Sequence, residues 1–284
     1  MSAPRLVATD LDGTIVRSDG TISARTGAAI AAVEAAGVPF VMVTGRPTRW
    51  MRDIASATGH RGIAVCANGA VVYDLHAERV ISSDLLSAPA AQQVVAALRR
   101  DLPGIAFAVE RRDTGFAHEP AYRPRWDSSD PLTQAPVEDL VSGGVVKLLA
   151  RHNELDADAL LAAARTAVGD GATLTHSSSD GLLEISAAGV SKATALAALA
   201  ASHGVGAIDV LAFGDMPNDL PMLTWAGRGV AVANAHREVL AAADEVTASN
   251  DDDGVAQVIE RWFRAAPPAP HAPGPHPPPE PGRS

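Results

Sequence analysis

Four short stretches of the chain hold side chains whose types and spacing suit catalysis. The first is Asp10-Leu11-Asp12-Gly13-Thr14, directly after the apolar run Leu6 to Thr9. Residues two apart in extended backbone point the same way, so the carboxylates of Asp10 and Asp12 are expected to project together from the end of that run. Acids that close repel each other unless a cation or a shared proton intervenes, and a hard ion such as Mg²⁺ is the natural companion. A polar strand end closed by an Asp-Gly turn accounts for the same residues structurally. The second stretch, Val41 to Arg46, ends a buried strand with the Thr44 hydroxyl, the bare Gly45 backbone and the Arg46 guanidinium. A hydroxyl beside an accessible N–H at a helix start cradles anions, although Thr-Gly also closes ordinary strands. The third, Gly214-Asp215-Met216-Pro217-Asn218-Asp219, again sets acids where a strand stops, or else caps a helix ahead of Pro221. The fourth is Lys192, in the first turn of a helix, where a cation opposes the helix dipole and is available to an external anion. An exposed lysine at that position also costs little.

Together these stretches say more than any one of them. Strands that deliver paired acids and an anion cradle to one edge of a sheet, with a lysine following at a helix start, describe a Mg²⁺-assisted phosphoryl-transfer site.

The elements that must position these groups alternate. Short apolar runs at Leu6 to Thr9, Pro39 to Val43, Ile63 to Cys66, Asp209 to Phe213, Val230 to Val232 and Glu245 to Val246 read as strands. Alanine-rich helices, Ser23 to Ala36 and Lys192 to Ser202, fall between them and predict βαβ units with a parallel sheet. From about Ser82 to Ile185 the pattern changes. Single helices (Ala88 to Arg100, Glu154 to Val168) separate strand pairs, Ile105 to Arg111 with Gly115 to His118 and Thr173 to Ser177 with Leu182 to Ile185, while Val145 to Ala150 stands alone. Adjacent strands without a helix between them imply antiparallel pairing, hence an α+β module inserted into an α/β domain. Glu119 to Pro136 has no clear period. From Ala265 to Ser284 the chain is rich in proline with little apolar surface, and a disordered tail is expected.

Composition narrows the function. The 284 residues make one large domain or two ordinary ones, and 47% hydrophobic with 20% charged residues is globular. The single cysteine, Cys66, rules out an internal disulfide, and no histidine stands in an H-x-H or HExxH arrangement, so zinc is not expected. A net charge of −10 argues against nucleic acid as partner. The N-terminal stretch carries no signal-peptide pattern and no run reaches the length of a membrane helix, so a soluble, cytoplasmic protein without membrane partners is expected.

At this point the motifs resemble the haloacid dehalogenase (HAD) superfamily, and within it the Cof-type phosphatases with a large α/β cap. DLDGT (Asp10 to Thr14), TGR (Thr44 to Arg46), Lys192 and GDMPND (Gly214 to Asp219) occur in the family's order. Asn68-Gly69-Ala70, LEISAAGVSK (Leu183 to Lys192), WAGRGVAVANA and SNDDDGVAQVIE (Ser249 to Glu260) also look like this group, and the resemblance covers residues 5 to 264. It implies an α/β fold with a Rossmann-like core at residues 1–81 and 187–264 and an inserted α+β cap at 82–186, hinged near Ser82 to Leu85 and Ser186 to Gly189, with residues 265–284 as a tail. It also implies that Asp10 is the nucleophile and Asp12 the general acid and then base. Mg²⁺ would be held by Asp10, Asp215 and the Asp12 carbonyl. Phosphate would meet the Leu11 N–H, Thr44, Gly45, Lys192 and Asn218, while Asp219 would orient Lys192 or a metal-bound water and Arg46 would stand just behind these groups.

The implied activity is hydrolysis of a small phosphorylated metabolite, a sugar phosphate or a nucleotide or cofactor phosphate, through an aspartyl-phosphate. A phosphomutase and a catalytically idle binding or regulatory protein are the alternatives. The substrate itself is not legible. Arg111, Arg112, His118, Arg123, Arg125, Lys147 and His176 are cap residues that either face the crevice or lie on solvated surface.

Overall fold

The computed structural model describes residues 2–112, 115–124, 132–178 and 180–263. The chain opens with β1 (Leu6–Thr9), α1 (Ala24–Ala35), β2 (Phe40–Val43), α2 (Met51–Thr58), β3 (Ile63–Cys66), β4 (Val71–Asp74) and β5 (Arg79–Ser83). It continues through α3 (Ala88–Asp101), β6 (Ala106–Arg111), β7 (Gly115–His118), β8 (Thr133–Gln134), α4 (Val137–Leu140), β9 (Lys147–Arg151), α5 (Ala157–Val168), β10 (Ala172–Thr175) and β11 (Leu182–Ala187). It ends with α6 (Lys192–Ser202), β12 (Val210–Gly214), α7 (Leu220–Trp225), β13 (Arg228–Ala231), α8 (Arg237–Ala242), β14 (Glu245–Val246) and α9 (Gly254–Ile259).

Two sheets result. The first has the order β14-β13-β12-β1-β2-β3-β4-β5, parallel from β14 to β3. β1, β2 and β12 are buried at every residue, as a sheet covered on both faces requires. Ser23 caps α1 by accepting from the Thr26 N–H, and Ser191 caps α6 in a capping box with Thr194. Because β1 is central, its C-terminal end lies between those of β2 and β12, where ligands bind in open α/β sheets. The second sheet, β10-β11-β9-β6-β7-β8, is antiparallel except between β7 and β8. α3 and α5 cover one of its faces through an apolar cluster that includes Leu98, Phe107, Leu148 and Leu160. A smaller cluster of Ala106, Ala108, Phe116, Tyr122 and Leu149 lies apart from it.

Several elements differ from those expected. The hairpin β4–β5 is new: it pairs antiparallel on the edge of the first sheet and extends that sheet to Ser83. Apart from the buried Val71, its residues are half-buried or exposed in an irregular order, so they give no clear period. The strand expected at Val145 to Ala150 is β9, two residues later, because Val145 instead bridges to Leu86. The strand expected at Thr173 to Ser177 is β10, and the stretch Glu119 to Pro136 contains the short β8. The segment 265–284 lies outside the described residues. No helix among the described residues is long and apolar enough to cross a membrane.

Candidate active site

The ends of β1 and β12, with the start of α6, bring four charged side chains into one buried cluster. Lys192 is at the centre, fully enclosed, and its Nζ lies 2.5 Å from Asp10 Oδ1 and 2.6 Å from Asp219 Oδ1. The other Asp219 oxygen accepts from the Asp215 and Met216 N–H groups, both at 3.0 Å. Both oxygens of Asp219 are thus occupied, and it positions Lys192 and the β12 turn together. Asp215 accepts at Oδ1 from the Thr14 hydroxyl at 2.8 Å. Gly13 makes this approach possible: its φ is +77°, and a side chain there would overlap the Asp215 carboxylate.

The electrostatics follow from burial. Burial raises the Asp10 carboxyl well above its ordinary range, Lys192 opposes that rise, and Asp219 and Asp215 add to it. Asp215 is pushed up to about 7 by burial and then by Asp219, with the Thr14 hydrogen bond and Lys192 opposing. Burial disfavours the Lys192 ammonium, but Asp10 and Asp219 outweigh it and hold the group charged. Three acids therefore face one cation. Ligand atoms of Asp10, Asp215 and Asp219 lie within 4.8 Å of one another. An all-oxygen, carboxylate-rich set with a surplus of negative charge suits a hard divalent cation such as Mg²⁺.

Asp12 is placed differently from the expectation. Thr14, Ile15 and Val16 all donate N–H groups to the Leu11 carbonyl, so the chain turns instead of continuing extended. The Asp12 side chain is 57% exposed and takes a two-pronged contact from Arg46, Nε to Oδ2 at 2.8 Å and a terminal nitrogen to Oδ1 at 2.5 Å. Both acids still line one cavity of about 290 Å³, at different depths, and Asp12 is the least of the acidic neighbours raising Asp10. Leu11 is buried, and the Thr44 hydroxyl accepts from the Arg46 N–H at 3.0 Å. Gly45, Arg46 and Asn218 line the cavity, and among the described residues the buried Asn218 Oδ1 has no hydrogen-bond partner.

The second sheet supplies the opposite wall. Lys147 Nζ donates to the Gly45 carbonyl at 2.7 Å and to Glu184 Oε1 at 2.5 Å. Glu184 Oε2 accepts from Asn68, whose Oδ1 accepts from Asn218, each at 3.1 Å. Asn68 holds this place with φ +57°, in the left-handed region that asparagine tolerates. Burial would raise Glu184, yet Lys147, Asn68 and Ser177 more than offset it and its carboxyl sits below the ordinary range. Arg49 pairs with Glu110 across the same gap.

Of the cap residues singled out from sequence, Lys147 lines the cavity. His118 is buried against the Glu119 carbonyl, and His176 is paired with Asp158. Arg123 donates to the Pro120 carbonyl, and Arg111 and Arg112 line a separate surface cleft. Arg125 lies outside the described residues. Glu110, Arg151 and Glu184 were not foreseen as site residues. Alternation along β6, β9 and β11 carries the signal, but only once the pairing register is known.

Fold and site together are those of a phosphatase core with a second sheet set over it. The model of the haloacid dehalogenase-like hydrolase family matches residues 7–259, and the chain belongs to that family. A Bacillus subtilis relative, 5-amino-6-(5-phospho-D-ribitylamino)uracil phosphatase YcsE, is 28% identical over 264 residues, covering 91% of this chain and 95% of the relative. The pyridoxal phosphate phosphatase YbhA of Escherichia coli is also 28% identical, over 90% of this chain and 97% of its own. A solved haloacid dehalogenase-like hydrolase from Bacteroides thetaiotaomicron superposes with a TM-score of 0.70 at 26% identity, covering 92% of this chain and 100% of that one. A longer Arabidopsis thaliana relative, the chloroplastic endoribonuclease YBEY, is 30% identical across 89% of this chain, which spans only 45% of that protein's length. The chain is thus a phosphatase of the haloacid dehalogenase-like family.

Proposed function

We propose that this phosphatase hydrolyses a monoester of a small phosphorylated metabolite through a covalent phosphoenzyme on Asp10. The observation that carries the reading is Lys192, a buried ammonium held between Asp10 and Asp219 beside Asp215. Asp10, Asp215 and the Asp12 carbonyl would hold Mg²⁺, which when bound supplies positive charge to the phosphoryl oxygens. The Leu11 and Gly45 N–H groups, Thr44, Lys192 and Asn218 orient those oxygens. The Asp10 carboxylate attacks phosphorus, forming its O–P bond as the ester O–P bond breaks, and Asp12 gives a proton to the departing oxygen. Asp12 then takes a proton from water, whose oxygen attacks the phosphorus and restores Asp10. The exposure of Asp12 suits this double role, since it must meet first the leaving group and later water. Arg46 would keep its carboxyl aimed between those events.

Residues 82–186 act in this reading as a cap that closes over the substrate and bars water from the first step. The substrates named for the two bacterial phosphatases, a phosphoribityl-substituted uracil and pyridoxal phosphate, set the scale of molecule expected, and such metabolites imply a cytoplasmic enzyme. The test is release of inorganic phosphate from a panel of phosphorylated metabolites, with and without Mg²⁺, followed by intact-mass analysis after a rapid quench. A phosphate adduct on the wild-type protein is the expected result. Full activity in excess EDTA would overturn the metal assignment.

A further inference from the structure

The cavity-facing side of the second sheet has an order of its own. Along β9, Leu148 and Ala150 belong to the cluster under α3 and α5, whereas Lys147, Leu149 and Arg151 line the cavity. On β6, Glu110 stands opposite Lys147, Ala108 opposite Leu149 and Ala106 opposite Arg151. On β11, Glu184 and Leu182 stand opposite Leu149 and Arg151. The wall therefore rises in three rungs. The first touches the core, through Lys147 to Gly45 and Glu110 to Arg49. Beyond it Leu149 stands beside Glu184, Leu182 shares the last rung with Arg151, and Phe116 on β7 adds apolar surface beside Glu110. The last rung ends in Arg151. At about 3.3 Å per residue, the four steps from Lys147 to Arg151 span about 13 Å.

Arg151 is only 5% exposed. One terminal nitrogen donates to the Asp180 carbonyl at 3.0 Å, the guanidinium lies 5.7 Å from the Tyr122 ring centre, and Nε has no hydrogen-bond partner among the described residues. Among the described residues no carboxylate forms an ion pair with it, whereas Lys147 has Glu184, Arg49 has Glu110 and Arg46 has Asp12. A buried charge without a counter-charge is costly. The planar fork of arginine matches a carboxylate with two parallel hydrogen bonds, and a single guanidinium balances a monoanion.

We propose that Arg151 reads a carboxylate at the end of the substrate remote from the scissile phosphate. The substrate class is then a phosphate monoester with an apolar or planar middle and a carboxylate at the end remote from the phosphate. The inference deepens the phosphatase reading and rests on it. Three probes separate the two: nitrophenyl phosphate, biphenyl-4-yl phosphate, and the same biphenyl ester with a 4′-carboxylate. Wild-type enzyme should favour the carboxylated biphenyl ester over the plain one in kcat/KM by tenfold or more. Arg151→Met should bring that ratio close to one, and Arg151→Lys should leave it between the two values. Because the ratio is taken within each variant, loss of folded protein cancels, and Arg151→Gln gives a second measurement if the methionine variant does not fold. A wild-type ratio near one, or a preference that persists in both neutral variants, overturns the inference. So does turnover of nitrophenyl phosphate with neither biphenyl ester accepted. No turnover of any probe would instead refute the phosphatase reading, and the inference would fall with it.

Discussion

The two walls of the cavity differ in how their charges are paired. On the core wall Asp10, Asp12, Asp215 and Asp219 face Lys192 and Arg46, so acids outnumber bases. On the facing wall Glu184 is paired with Lys147, Glu110 reaches across to Arg49 of the core, and Arg151 has no carboxylate partner among the described residues. The architecture explains the difference. Parallel strands converge end-on and deliver several carboxylates to one point, whereas an antiparallel face lays side chains side by side, so that Lys147 on β9 reaches Glu184 on the neighbouring β11. The core wall thus asks for a cation from solution, and the opposite wall for an anion brought by the substrate.

Removing acids from the core wall should have the largest effect. Asp10→Asn should lose turnover altogether and give no phosphate adduct after a rapid quench, because an amide cannot form the acyl-phosphate at a useful rate. Asp12→Asn should be slowed about 10²- to 10⁴-fold, the usual contribution of a general acid or base. That loss should shrink for nitrophenyl phosphate in single-turnover phosphorylation, since its leaving group needs little protonation, and the adduct should then accumulate. Equal losses for good and poor leaving groups would mean that Asp12 is not the proton donor.

The charge surplus also fixes a pH dependence. Asp215 is raised in the folded protein to about 7 from an ordinary value of 3.8, so its stabilising contribution is complete below 3.8 and is lost as pH rises through 7. Asp10 is shifted in the same direction. Metal-free protein should therefore lose melting temperature between about pH 4 and 7. Mg²⁺ needs the ionised carboxylates, so its apparent affinity should rise by up to about tenfold per pH unit toward 7 and then level off. Calorimetric titration of Mg²⁺ at pH 5.5, 6.5 and 7.5 reads this directly. A flat profile would show that the acids do not bind the ion.

The same contrast decides what the sequence reveals. Asp10, Lys192 and Asp215 sit at strand ends or a helix start, and their short spacings bring them together with no knowledge of pairing. The depth at which Asp12 lies was not legible, because the turn built on the Leu11 carbonyl replaces extended backbone with a tight loop. On the second sheet Glu110, Lys147, Glu184 and Arg151 come from three strands, and a slip of one residue would turn each to the helical face. The β4–β5 hairpin was missed for a related reason: an edge pair with mixed exposure has no period to read.

The buried pair between the walls comes next in size. Lys147→Met leaves Glu184 buried without its cation, and breaking one side of such a pair costs about 3–5 kcal/mol. In the wild type Glu184 is held below its ordinary value, so its contribution is present above 4.5 and lost as pH falls through the lower folded value. Without Lys147, burial dominates and the carboxyl rises, so the penalty of the variant should grow between pH 5 and 8. Urea unfolding of both proteins across that range measures it. A pH-independent difference would show that the loss is one of packing.

The smallest effect is expected far from the cavity, where Arg25 of α1 holds Glu260 just after α9 by two contacts at 2.6 and 2.8 Å. The geometry is as good as that of Arg46 with Asp12, yet the side chains are 46% and 40% exposed. Water already solvates both charges, and exposed pairs contribute about 0–1 kcal/mol. Arg25→Ala should therefore shift the unfolding midpoint only slightly, with the shift fading at high salt as the pair is screened. Turnover should be unchanged. A loss as large as that of Lys147→Met would mean that the two-pronged geometry, and not burial, sets the strength of these pairs, and the contrast drawn between the walls would need a different cause.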